Sequence, residues 1–132
     1  MGRVFFNTRK NVHTLAANYQ VLASDSGKVF MLNGASAFTV TLPTIEAGLM
    51  YKFIALDTTA DVAINSGCDA ACIDLVGKDS EADIGPGTGG TAVTNLIMEA
   101  AAHEGTYVNL YCDGTGWYGE SMGSADASVT TS

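Results

Sequence analysis

Several groups of residues have the types that chemistry needs, at spacings close to those it uses. Gly85-Pro86-Gly87-Thr88-Gly89-Gly90 satisfies G-x-G-x-x-G, whose glycines let backbone approach a pyrophosphate at a helix N-terminus. Here the run follows an acidic stretch instead of a strand, carries Pro inside the turn and leads into Val93-Thr94 instead of a helix. It reads as a flexible loop. Asp79, Glu81 and Asp83 alternate like the first ligands of a calcium loop, but Ile84 stands where Gly must bend the chain and Gly90 where a bidentate Glu belongs. They read as exposed loop acids.

Cys68 and Cys72 in CDAAC, with Cys112, His13 and His103, hold the donor types of a zinc site. One close pair stands alone, however, where a knuckle would have two, so the spacing favours small buried or half-exposed thiols. Neither histidine neighbours a nucleophile, there is no G-x-S-x-G elbow, and the carboxylates are scattered through loops. The residues predict no enzyme, no metal and no cofactor. Tyr51, Tyr107, Tyr111, Trp117 and Tyr118 could make an aromatic platform for sugar. Strand periodicity divides them: Tyr107 and Tyr111 share a face, and Trp117 lies across from Tyr118. Rings of this size in a small sandwich are more often core or subunit interface.

The elements that would position these residues are strands. Asp25 to Leu56 reads as strand, turn, strand, turn, strand, with Phe38, Val40 and Leu42 alternating with Thr39 and Thr41 before Pro43. Lys28 to Leu32 is apolar on both faces and predicts a central strand covered on each side, closed by the turn Asn33-Gly34. Tyr51 to Leu56, Asp61 to Asn65 with Val62 and Ile64 inward, Cys72 to Val76 and Val93 to Met98 follow. Thr106 to Cys112 and Trp117 to Met122 flank Asp113-Gly114-Thr115-Gly116, a hairpin signal in which Gly takes positive φ and Asp bonds its own backbone. Glu99 to Glu104, with Gly105 as a cap, predicts one helical turn, and Gly77 to Thr91 a long surface loop. No internal repeat emerges at a fixed period. The expected fold is all-β: a single-domain antiparallel β-sandwich, jelly-roll-like, with residues 1–18 an extended N-terminal arm, 19–122 the sandwich and 123–132 a flexible C-terminal tail.

With 132 residues the chain is one domain, able to bury about two thirds of the surface it exposes unfolded. Its net charge of −8 argues against a nucleic-acid backbone as partner. Arg3, Arg9 and Lys10 leave only Lys28, Lys52 and Lys78 against 14 acidic residues in the rest of the chain. This is a basic arm on an acidic body. Val4-Phe5-Phe6 would be costly to leave in water, which predicts that the arm docks on an acidic protein surface. Three cysteines cannot all pair, Met1 to Lys10 lacks the apolar core of a secretory signal, and no stretch approaches a membrane span. Synthesis in a reducing cytosol, with no membrane partner, is expected.

Four motifs in order, Ala23 to Asn33 (ASDSGKVFMLN), Phe38 to Pro43 (FTVTLP), Ala47 to Ile54 (AGLMYKFI) and Asp113 to Tyr118 (DGTGWY), resemble the head decoration, or cement, proteins of tailed bacteriophages. The likeness covers a little over a third of the chain and leaves out the arm and Asp57 to Asn95. It implies a β-sandwich protomer that assembles, commonly as a homotrimer, on the outer face of an icosahedral head and bridges subunits of the major capsid protein. The protein would then be synthesised in the host cytoplasm and reside on the outer capsid surface of the virion. On that reading Arg3, Val4, Phe5, Phe6, Arg9 and Lys10 are the expected capsid contacts. The alternative is a trimeric receptor-binding or fibre-tip module, in which the loop Gly77 to Thr91 and exposed aromatics contact host glycan.

Overall fold

The period-2 alternation becomes two sheets packed on one shared core. The computed structural model describes residues 11–78, 92–100, 102–123 and 128–131. The arm residues Arg3 to Lys10, the acids Asp79, Glu81 and Asp83 and the glycine run Gly85 to Gly90 lie outside the described residues. The strands are β1 (Val12–Leu15), β2 (Tyr19–Gln20), β3 (Val29–Asn33), β4 (Phe38–Thr41), β5 (Met50–Asp57), β6 (Val62–Asn65), β7 (Ile73–Lys78), β8 (Asn95–Met98), β9 (Tyr107–Cys112), β10 (Trp117–Met122) and β11 (Val129–Thr131). Sheet A has the order β1-β3-β5-β9-β10-β7, and sheet B the order β11-β8-β6-β4-β2.

The all-β expectation holds, but the antiparallel, jelly-roll-like pairing does not describe these sheets. β1, β3 and β5 run parallel, as do β2, β4 and β6, and β7 runs parallel to β10; the antiparallel pairs all involve β8 or β9. The cause is the connections. Up to β8 each strand passes to the opposite sheet instead of turning back beside itself, so β1-β3-β5 and β2-β4-β6-β8 are neighbours as alternate strands, while β9 and β10 stand between β5 and β7. The chain winds as a flattened coil whose turns differ in length: Val12 pairs with Val29, and Val29 with Lys52. The hairpin at Asp113 to Gly116, between β9 and β10, is as expected: Gly114 has φ 96°, and Asp113 Oδ1 accepts from the Thr115 and Gly116 amides at 2.8 and 3.0 Å.

Three boundaries differ from the sequence expectation. The sheet begins at Val12, inside the segment expected to be an arm, because β1 lies along β3. Residues 129–131 form β11 on β8 instead of belonging to a loose tail, anchored by buried Val129. Among the described residues of Glu99 to Glu104 no helix is present; the Ala102 amide donates to Glu99 and the Thr106 amide to His103, with Gly105 at φ 89°.

Inward positions build the core. Phe30 stacks on Phe53 at 5.5 Å, Tyr51 meets Trp117 at 5.8 Å, and Val40, Ile64, Leu75, Leu96 and Leu110 close around them, all fully buried or nearly so. Each such side chain contributes about 1.5–3 kcal/mol by leaving water. Val62 and Ile64 point inward as expected. β3 has neighbours on both sides, but its outward Val29 and Met31 are half-buried, so only one of its faces is sealed.

Candidate interaction surface

Each strand of sheet A that buries one parity of residues must present the other outward, and here those outward residues are largely apolar. Eight large apolar side chains are exposed among the described residues, and seven of them stand on the outer side of sheet A: Val12, Met50, Leu56, Val76, Tyr111, Tyr118 and Met122. Val76 is 65% exposed and Tyr111 46%, values that decide against their being buried edges of the core. Register arranges the face in rows across the strands. Met50, Tyr111 and Tyr118 form one row; Lys52, Asn109 and Glu120 the next; Ile54, Tyr107 and Met122 the third.

The polar row is lightly tied within the chain. Asn109 donates to Glu120 at 3.1 Å, and Lys52 Nζ lies 4.6 Å from the centroid of the Tyr107 ring, a cation–π arrangement. Among the described residues Lys52 has no carboxylate partner. Beside this row a cavity of about 390 Å³ opens between Gly27, Lys28, Met50, Lys52 and Tyr111. Val29, Ile54 and Asn109 also line it.

The turn that borders the cavity is held by a polar knot. Asp25 is 4% exposed and accepts from the Lys28 ammonium at 2.6 Å, the Leu22 amide at 3.0 Å and the Tyr19 hydroxyl at 3.2 Å. Burial pushes the Asp25 carboxyl up, but the Lys28 hydrogen bond, the Leu22 amide, the Lys28 charge and the Tyr19 hydroxyl together outweigh it and hold the group below the ordinary carboxylate value. Tyr51 donates to the Leu22 carbonyl at 2.8 Å, and burial, with the nearby Asp25 charge, pushes its hydroxyl up to about 12. Gly27 donates to Met50, Gly48 to Cys112 and Cys112 to Leu49, which brings the Ser26-Gly27 turn, the Ala47-Gly48 turn and the end of β9 together.

Other sequence candidates fall elsewhere. Cys68 and Cys72, expected as thiols, are disulfide-bonded with Cα atoms 6.5 Å apart, because the chain bends at Asp69-Ala70 between them. Cys112 is free and buried. His13 packs against Tyr19 and Phe30 at ring distances of 5.2 and 5.9 Å. Among the described residues no group of three or more His, Cys, Asp or Glu could hold a metal ion. The aromatics divide as periodicity requires: Tyr51 and Trp117 are core, Tyr111 and Tyr118 outward. What sequence reading missed is the face as a whole. Its signal was present in strands apolar at both parities, MYKFIAL and TYVNLYC. No family model matches the chain, and no curated protein does.

Proposed function

We propose that this chain is a structural virion protein that binds the outer surface of a bacteriophage capsid as a homotrimer and stabilises the head by bridging subunits of the major capsid protein. The observation that supports this most is the outer face of sheet A. Antiparallel strands such as β5, β9 and β10 can leave one face to water, but that face is then ordinarily polar. This one leaves Met50, Tyr111, Tyr118 and Met122 exposed, which suits a protein that finishes its packing against other protein. Three of the four motifs of the phage resemblance, Ala23–Asn33, Ala47–Ile54 and Asp113–Tyr118, run into strands of sheet A, while Phe38–Pro43 belongs to sheet B.

In this reading Arg3, Val4, Phe5, Phe6, Arg9 and Lys10 are the capsid contacts. Three weak arms tied in one trimer act at high effective concentration, so the trimer holds where one arm would not. Binding only the expanded head stabilises that state by mass action. The protein folds in the host cytoplasm and ends on the virion exterior. The test is its stoichiometry against the major capsid protein in purified particles, by quantitative mass spectrometry. A ratio near one is expected, and deletion of residues 1–10 should lower occupancy; unchanged occupancy would remove the arm from the mechanism.

The neighbouring exposed rings of Tyr111 and Tyr118 favour a second reading, a fibre-tip module that stacks host glycan. A ratio of a few hundredths, with retention on glycan arrays lost in Tyr118→Ala, would replace the first reading by this one.

A further inference from the structure

We infer that the outer face of sheet A is where copies of this chain meet, about an axis running along β9, so that the β5 side of one face lies against the β10 side of the next. This names the surface of the self-association proposed above and rests on that part of the reading, not on the capsid.

β9 supplies the middle residue of each row, so an axis along it brings Met50 against Tyr118 of the next copy, Lys52 against Glu120, and Ile54 against Met122. Apolar meets apolar, and cation meets carboxylate. An axis across the strands through the polar row would instead set Lys52 on Lys52 and Glu120 on Glu120, like charges at close range. Each charge is available for such a pair: Lys52 rests on the Tyr107 ring, and Glu120 is held only by the Asn109 amide.

The charge of the whole chain narrows the choice of occupant. Beyond residue 10, three lysines stand against 14 acidic residues, so two bodies repel over most approaches. The polar row of this face is instead balanced, with one cation and one carboxylate, and Asp74 stands at the β7 end of the Tyr118 row. Six strands at about 4.8 Å spacing and about 20 Å of strand length give the face roughly 500 Å² in plan, at the upper end of the patches that monomers leave in water. A three-fold gathers Tyr107, Asn109 and Tyr111 at the centre, as a homotrimer needs, and a two-fold uses the same pairs.

The test is sedimentation equilibrium of the full chain, with circular dichroism to verify the fold. Wild type should associate. Lys52→Glu and Glu120→Lys should each weaken association at least about tenfold, and the two together should restore it to within about threefold of wild type. Tyr111→Lys, independent of that pair, should give folded monomer. A wild type that stays monomeric at every concentration overturns this inference and the self-association reading with it. Association that persists in Tyr111→Lys and in both single reversals overturns this inference alone. A monomer whose face variants lose capsid occupancy would make the capsid the occupant and also overturn it.

Discussion

On sheet B the outward positions of β2, β4, β6 and β8 are Gln20, Thr41, Asn65 and Asn95 in one row and Thr39, Ala63 and Ile97 in the next, whereas on sheet A the same outward parity carries methionines, tyrosines and isoleucine around one Lys-Asn-Glu row. The sheet B edge is also closed by its own side chains. Gln20 donates to the Thr41 and Leu42 carbonyls at 3.2 and 3.3 Å, and Asn18 accepts from the Thr39 amide at 2.8 Å. Short polar side chains of this kind are well served by water, and sheet B needs no cover. Sheet A, built on the same winding, leaves apolar area in water. Inward residues make both sheets stable, so the difference must be sought in what the outward residues meet.

The largest effect should come from a substitution in sheet A that touches no residue of sheet B. A Cβ at Gly119 would lie 1.8 Å from the Asn109 carbonyl oxygen and 2.8 Å from its carbon, with only backbone to give way. Gly119→Val should therefore cost more than about 4 kcal/mol, the range reserved for lost backbone pairing or severe overpacking. Chemical denaturation checks it. Because the two sheets share one core, loss of the native state should be complete, with no residual transition from sheet B.

Next in size come the ties between the sheets. The Cys68–Cys72 bond lies in the crossing from β6 of sheet B to β7 of sheet A. For so short a loop the chain-entropy model gives about 2 kcal/mol. The Cys68→Ser, Cys72→Ser double variant should lower stability by that amount in urea without changing self-association, since neither residue reaches the outer row of sheet A. The Asp25 knot ties Tyr19 of β2 to the start of β3, and Asp25→Asn should cost about 1–2 kcal/mol near neutral pH. Its pH dependence follows from the sign of the shift. The folded-state carboxyl sits below the ordinary 3.8, so its contribution is full above that pH and is lost as pH falls through the depressed value. Thermal melting of wild type and Asp25→Asn should differ by a constant amount from pH 5 to 7 and converge below pH 3.8. At the alkaline end Tyr51 is raised from 10.0 to about 12, so its contribution is full below 10 and fades as pH climbs toward 12. Ultraviolet titration should show one tyrosine ionising last, together with unfolding.

Which of these features could be read from the chain depends on whether they are local. Strand positions and the burial of Phe38, Val40, Val62 and Ile64 follow from alternation, and the Asp113 hairpin from turn chemistry, because each needs only neighbours in sequence. Alternation states a residue's face and not its strand's partner, so the coil of parallel pairs was illegible. β11 was missed because Val129-Thr130-Thr131 offers a single apolar anchor in a polar run. The disulfide depends on a bend at Asp69-Ala70 that the sequence CDAAC does not specify. The candidate surface was half legible: Tyr111 and Tyr118 were separable from Trp117 by parity, but which parity faces outward became clear only when the second sheet covered the other.

The smallest predicted effect is the sharpest on the comparison itself. Thr39→Val and Thr41→Val together would give sheet B two outward apolar side chains at positions that already fit a strand. Stability should move by no more than about 0.5 kcal/mol, as for most half-exposed substitutions. Tyr111→Thr makes the reverse exchange on sheet A, again with little effect on the fold since the ring lies outside the core. The two should part in sedimentation. Tyr111→Thr should weaken association, while the valine pair should not create any, because no opposed charges on that row of sheet B hold an approaching acidic body in register. If the valines promoted association as strongly as the lost tyrosine reduced it, apolar area alone would decide contact. The Lys-Asn-Glu row would then be incidental, and the two faces would differ in degree and not in kind.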